Sequence, residues 1–385
     1  MISPWALIPN LTLPRELFCK PGALAALEGL GGKRVALVTG GSSLKASGTL
    51  DRARQLLERG GGKVVMESVV AKEPSEPDVR PLAEQARQLE PDWIVGIGGG
   101  SVLDAAKAMW VWYEQPEVTL AAIAKPHSLP PLRKKARLAL VPTTSGSGSE
   151  CSPALTLNGA QGAKQVIVSR ELTPDVAILD AQLAATMPPA VTAFTGIDAF
   201  THAQEAYVSP LATTIVKTLA VSALRALLEF LPRAYAQGDD LEARERIHVA
   251  ASLAGLAQAS ASTGLTHALA HALGARTGKP HGLLNAAFLV PVARFNAADG
   301  ARGRYDALAK DLGLASADAL IEEEGRLLEK LDLAGALSAV LPAASRNGDE
   351  ALAAAALQDP CARTNPRRVN DAKALAGWLQ TLGAS

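Results

Sequence analysis

The chain has 385 residues, too many for one ordinary domain and enough for two with separate cores. Its 38 lysines and arginines balance 38 aspartates and glutamates, which leaves no basic footprint for nucleic acid. The three cysteines, Cys19, Cys151 and Cys361, are widely spaced and odd in number, which argues against a disulfide framework or a CxxC metal site and points to a reducing, cytoplasmic setting.

The opening MISPWALIPNLTLPREL is interrupted by proline and asparagine, so no signal peptide is expected. Strand-like runs then follow at Arg34–Thr39, Lys63–Met66, Trp93–Ile97, Leu138–Val141 and Val176–Leu179. They alternate with helical stretches, the pattern of βα units around a mostly parallel sheet. After Trp93–Ile97 come Gly98, Gly99, Gly100 and Ser101, and then a helix over Asp104–Trp110. Such a joint puts bare backbone N–H groups and the positive end of a helix dipole where a pyrophosphate can dock. A tight strand-to-helix turn needs glycine in any case. The design recurs, however, where Leu138–Val141 runs into Pro142, Thr143, Thr144, Ser145, Gly146, Ser147, Gly148 and Ser149, and two such loops favour a dinucleotide. The run Arg133, Lys134, Lys135, Arg137 before that strand reads as a solvated loop.

Near residue 186 the organisation changes. Beyond MPPAVTAFTG the strands vanish, and Leu211–Phe230, Leu241–Ala261 and Asp318–Leu331 carry helical periodicity, punctuated by Pro210, Pro232, Pro280 and Pro291. Five of the six histidines, His202, His248, His267, His271 and His281, fall in this part. Asp198 precedes His202 by one helical turn, which puts both on one face, and His267 and His271 repeat that spacing. Gly274, Gly278 and Pro280 then break the helix, so that His281 opens the next segment. A lone histidine usually has a core or surface role, but a set spaced around an aspartate suits divalent iron, zinc or nickel. His248, in the charged run EARERIHVA, has no such partner and reads as a surface histidine. Val249–Ala275 has no formally charged side chain, yet its polar residues and two histidines fit helices buried around a site better than a membrane span.

The segments GGGSVLDAAK (Gly98–Lys107), PTTSGSGSE (Pro142–Glu150), GIDAFTHAQEAYVS (Gly196–Ser209), GLTHALAHALG (Gly264–Gly274) and PHGLLNA (Pro280–Ala286) together resemble the iron-dependent, group III alcohol dehydrogenases. They stand in that family's order, and the resemblance runs from GALAALEGLGGKRVALVTGG to DPCARTNPRRV near the C-terminus, essentially the whole chain. It implies a Rossmann-like α/β dinucleotide-binding domain over 1–186 with a mostly parallel sheet, and an all-α metal and substrate domain over 187–385, the two facing each other across a cleft. It implies Asp198, His202, His267 and His281 as metal ligands, with His271 beside the substrate as a proton-relay member. Gly98, Gly99, Gly100 and Ser101 would hold the cofactor pyrophosphate and Asp104 would lie close to the nicotinamide ribose. Thr143, Thr144 and Ser147 match positions on the adenine and phosphate side, and Lys164 matches more loosely a lysine near the ribose.

One departure bears on the cofactor. Where NAD-preferring members carry an aspartate after the strand ending in VT, this chain has Gly40, followed by Gly41, Ser42 and Ser43. No carboxylate stands there to repel a 2′-phosphate, and Lys45 adds charge nearby, so NADP(H) is expected over NAD(H). The metal expected is Fe2+, with Zn2+ as the alternative. The activity expected is hydride transfer between NAD(P)(H) and a small alcohol/aldehyde or ketone pair, in a protein that is at least dimeric, with no nucleic-acid or membrane partner. Three other readings are a dehydroquinate synthase-like lyase or cyclase, a hydroxyacid-oxoacid transhydrogenase, and a non-catalytic metal or nucleotide binder.

Overall fold

The computed structural model describes residues 11–70, 74–125, 128–158, 164–341 and 349–382. Two compact units divide the chain, one over Thr12–Met187 and one containing the helices that begin at Pro188.

The first unit contains β1 (Glu16–Cys19), β2 (Arg34–Thr39), α1 (Ser42–Ala46), α2 (Thr49–Arg59), β3 (Lys63–Val69), α3 (Glu76–Leu89), β4 (Trp93–Gly98), α4 (Gly100–Glu114), α5 (Leu120–Ile123), β5 (Arg137–Pro142), β6 (Ala154–Asn158), β7 (Lys164–Val168) and β8 (Val176–Leu179). Six strands form a sheet in the order β1-β8-β5-β4-β2-β3, every pairing parallel. The inner strands β2, β4, β5 and β8 read as continuous apolar runs because both faces are covered. Along β2, Ala36 and Val38 pack into one cluster with α3 and α4, while Val35 and Leu37 pack into another with α2. The period of two thus feeds two cores from one strand.

The expected strands are all present, and three more join them. β1 has four exposed residues at the sheet edge, so no burial pattern marks it in the sequence. β6 and β7 form a separate antiparallel hairpin, with Leu155, Leu157 and Ile167 buried. The basic run before β5 is only partly solvated: Arg133 bonds to Asp175 at 3.1 Å and lies over the Trp110 ring, because its planar guanidinium stacks and forks at once.

The second unit is helical among its described residues: α6 (Pro189–Val208), α7 (Thr214–Ala236), α8 (Leu241–Ala261), α9 (Leu265–Thr277), α10 (His281–Ala298), α11 (Arg302–Leu312), α12 (Ala317–Lys330), α13 (Ala336–Val340), α14 (Glu350–Gln358) and α15 (Ala372–Thr381). α6 is buried along most of its length and packs against α7, α8 and α10. Two of the four prolines do not punctuate: Pro232 lies inside α7 and Pro291 inside α10. A proline there loses one helical hydrogen bond, and the buried neighbours Phe230, Leu231, Leu289 and Val292 hold the helices against it. Gly274 likewise lies within α9, which continues to its cap at Gly278. His248 is not a surface residue. It is 2% exposed on the inner face of α8, because the helix turns that position inward although its sequence neighbours are charged. Among the described residues no helix is long and apolar enough to cross a membrane.

Candidate functional site

Three helices of the second unit bring the metal-ligand candidates together. Asp198 and His202 are one turn apart on α6, His267 is on α9, and His281 is the first residue of α10. The Nε2 atoms of His281, His267 and His202 lie 3.4, 3.6 and 3.8 Å from one atom, Oδ1 of Asp198. Donor atoms of Asp198, His267 and His281 are all within 4.8 Å of one another, and the His202 ring stacks on His267 with 4.6 Å between centroids. The residue after His281 makes this meeting possible. A Cβ on Gly282 would sit 1.9 Å from the carbonyl oxygen of Phe194 on α6, so only glycine lets the two backbones approach this closely.

The cluster is buried, and its charges are arranged accordingly. Burial opposes ionisation of Asp198, but the neighbouring imidazoles of His202, His281 and His267 more than offset it and hold the carboxyl well below its usual range. Burial pushes His202 down to about 4, which keeps its imidazole neutral and able to donate a lone pair. Burial also works against a charged His267, but its hydrogen bonds with Asp198 and Glu205 raise it to about 9. One carboxylate oxygen and three imidazole nitrogens focused on a buried point form a donor set that fits a divalent transition metal.

Two residues that the sequence did not single out support this set. Glu205, one turn beyond His202 on α6, accepts from Nδ1 of His267 at 2.7 Å and from the N–H groups of Gly264 and Thr266 at 2.8 Å each. That bond fixes which ring nitrogen of His267 is left for a metal. Asn285, one turn after His281, donates to Oδ1 of Asp198 at 2.8 Å and lies 3.3 and 3.4 Å from Nε2 of His281 and His267. Both lie inside the motif segments at helical spacing from the ligands, which was the available signal. His271 stands apart from the ligand set. Its ring stacks on His281 at 5.1 Å, and its Nδ1 lies 2.8 Å from Oδ2 of Asp359.

In the first unit the sheet order places the switch point between β2 and β4, since β3 lies beyond β2 on one side and β5 beyond β4 on the other. Ligands of open α/β sheets bind outside the carboxyl ends of the strands at such a point. The end of β2, followed by Gly40, and the end of β4 at Gly98 meet there, with the Gly40 N–H donating to the Ile97 carbonyl at 3.3 Å. Gly41, Ser42 and Lys45 follow, all exposed. α4 starts at Gly100 with no side-chain cap, so Gly99, Gly100 and Ser101 present unpaired backbone N–H groups of a helix start. A Cβ on Gly98 would lie 2.6 Å from Cβ of Val102, so this strand-to-helix joint also requires glycine.

The second loop folds against the first. The Thr143 N–H donates to the Gly98 carbonyl at 2.9 Å, and Cβ atoms built on Gly99 and Gly100 would meet the side chains of Thr144 and Ser147 at 3.3 and 2.7 Å. The Asp104 carboxylate accepts the Ser149 hydroxyl at 2.6 Å and the Thr156 N–H at 3.1 Å, which ties this loop to α4 and β6. Lys107, to which the sequence assigned no role, is fully buried, and its Nζ donates to the carbonyls of Ser149, Ser152 and Ala154 at 2.7 Å each. Lys164 opens β7, and its side chain lies outside the described residues.

Residues 14–181 match the iron-containing alcohol dehydrogenases, and residues 192–377 match the C-terminal part of that family. The chain is 39% identical to the NADPH-dependent butanol dehydrogenase of Clostridium saccharobutylicum, over 94% of this chain and 95% of that one. It is 36% identical to the 1-propanol dehydrogenase PduQ of Salmonella typhimurium, over 97% and 99%. The iron-containing alcohol dehydrogenase of Thermococcus thioreducens superposes with a TM-score of 0.89 at 34% identity, covering 97% of this chain and all of that one. With matches spanning both units and relatives aligned nearly end to end, this chain belongs to the iron-containing alcohol dehydrogenase family.

Proposed function

We propose that this chain, an NAD(P)-dependent alcohol/aldehyde oxidoreductase of that family, holds Fe2+ through Asp198, His202, His267 and His281 and prefers NADP(H). The observation that carries the reading is the convergence of four donors from α6, α9 and α10, three of them buried and His281 half-buried, on one point. When bound, the metal supplies Lewis acidity, which lowers the pKa of a substrate hydroxyl or polarises a carbonyl. The protein's part is placement. Glu205 and Asn285 orient the ligands, and the backbone N–H groups at Gly98, Gly99, Gly100 and Ser101 bind the pyrophosphate. Thr143, Thr144 and Ser147 line the adenine and phosphate side, Asp104 and Lys164 serve the ribose side, and His271 takes the substrate proton.

The preference for NADP(H) rests on Gly40, Gly41 and Ser42. No carboxylate occupies that turn, Lys45 is exposed nearby, and the butanol dehydrogenase relative is NADPH-dependent. The relatives described are dehydrogenases, which does not favour a lyase or cyclase. We place the enzyme in the cytoplasm as a homo-oligomer.

Metal titration of the apoprotein tests the ligand set. Fe2+ is expected to restore turnover of short-chain aldehydes or alcohols more fully than Zn2+. His267→Ala is expected to lose both metal and turnover while keeping its helical circular dichroism. A fully metal-loaded His267→Ala protein would falsify the ligand assignment.

A further inference from the structure

The segment DPCARTNPRRV carries no role so far, and it brings a carboxylate to the edge of the metal centre from 88 residues beyond His271. Asp359 stands between α14 and a single 3-10 turn, Pro360–Thr364. One of its oxygens accepts from the Cys361 N–H at 2.8 Å, and the other lies 2.8 Å from Nδ1 of His271. Burial opposes the Asp359 charge, but hydrogen bonds from His271 and Cys361 more than offset it, so the carboxyl stays below its usual range. An ionised carboxylate only accepts, so Nδ1 of His271 carries a hydrogen, and in the neutral ring the lone pair is then on Nε2. Among the described residues Nε2 has no protein hydrogen-bond partner.

We propose that Asp359 is a positioning residue, which locks His271 in the Nδ1–H tautomer and thereby makes Nε2 a proton acceptor beside the metal ligands. The proposal rests on the role given to His271 above. In alcohol oxidation the O–H bond breaks and its proton passes to Nε2 of His271. The C–H bond breaks with its electron pair, which leaves as hydride to the oxidised nicotinamide, and the carbonyl product forms. In reduction the protonated His271 returns the proton to the carbonyl oxygen as hydride arrives. Asp359 touches neither substrate nor cofactor in this scheme. It decides which ring nitrogen is available, as an orienting carboxylate does for a catalytic histidine.

Asp359→Asn tests this with little change of shape. The carboxamide keeps an oxygen for the Cys361 N–H, but its NH2 group faces Nδ1 of His271 and forces the hydrogen onto Nε2. In the zinc-loaded full-length protein with 15N-labelled histidine, the His271 signals are expected to switch from the Nδ1–H to the Nε2–H pattern. In the iron-loaded enzyme, kcat for alcohol oxidation is expected to fall by about 10²- to 10⁴-fold, the range a positioned acid or base supplies. Metal content, cofactor Kd and alcohol KM should hold, and Asp359→Glu should recover part of the loss. An unchanged tautomer in Asp359→Asn overturns the proposal, whatever happens to the rate. If the tautomer switches, Asp359 does position His271. Should His271→Ala then leave kcat intact, the failure belongs to the proton role given to His271 and not to Asp359.

Discussion

Nδ1 of His267 and Oε2 of Glu205 are 2.7 Å apart, and the same carboxylate closes the first turn of α9 by taking the Gly264 and Thr266 N–H groups. One buried side chain therefore sets both the start of a helix and the orientation of His267, the proposed ligand three residues into it. Glu205→Gln puts an NH2 group against one of those donors, leaving a buried N–H unsatisfied at about 1–3 kcal/mol. Metal affinity is expected to fall about 10- to 100-fold, as measured by chelator competition. Equal affinity in the variant removes Glu205 from the metal centre.

Gly282 is the point where α10 touches α6. A methyl group there would overlap the Phe194 carbonyl, so Gly282→Ala must push the helices apart and carry His281 away from Asp198. Overpacking of this kind costs about 1–3 kcal/mol. The expected outcome is a lowered Tm together with weakened metal binding, while cofactor Kd holds. Tight metal binding at wild-type stability would mean that the helices accommodate the methyl group and that the close contact is incidental.

At the proposed pyrophosphate loop, a Cβ on Gly99 would meet the Thr144 side chain at 3.3 Å, and a branched side chain there shields the N–H groups that start α4. Gly99→Val is expected to raise the NADP(H) dissociation constant far more than it changes metal content, read by fluorescence titration and metal analysis on the same preparation. Unchanged cofactor affinity would place the pyrophosphate elsewhere.

Gly40 has room for a side chain, since its Cβ would find only Cγ2 of Val102, at 3.6 Å. Gly40→Asp introduces the carboxylate that accepts a ribose 2′-hydroxyl and repels a 2′-phosphate. The ratio of kcat/KM values should move toward NAD by about tenfold or more, because a charge-assisted hydrogen bond is worth roughly 1.5 to 3 kcal/mol. The unaltered enzyme should prefer NADPH. A wild-type preference for NADH that the substitution does not alter would show that this turn does not read the ribose.

Lys107 gives a prediction about pH. Burial lowers it from 10.5 to about 8, with the charges of Asp104 and Glu150 acting in the opposite direction. Between those two values the unfolded lysine still holds its proton and the native one has released it, so the unfolded state binds more protons and stability rises with pH. The stability of wild type relative to Lys107→Met is therefore expected to be flat below about 8 and to climb from there toward 10.5. Urea unfolding of both proteins at several pH values reads this directly. A difference that stays constant across the window would mean that the three carbonyls around Nζ keep the ammonium charged throughout.

Five of the six strands of the parallel sheet were legible because each carries an apolar run between helical stretches. The pairing of Asp198 with His202 was legible because one helix turns that spacing into a shared face. β1 and the β6–β7 hairpin were not read: the first is exposed along its whole length, and the second packs on one face only. His248 misled because charge in sequence neighbours says nothing about which side of a helix a residue occupies.

By itself, the sequence determined the residue types and local geometry of both candidate sites: glycine where a strand turns into α4, an aspartate and a histidine one turn apart on α6, and two histidines one turn apart on α9. These depend on backbone sterics and helical periodicity, which act over a few residues. Only the tertiary structure decided that Glu205 backs His267, that Asn285 reaches Asp198, that Lys107 ties down the second loop and that Asp359 holds His271. Each of these contacts joins residues 42 to 88 positions apart, and their meeting depends on how whole elements pack. A pattern read along the chain carries no information about that packing.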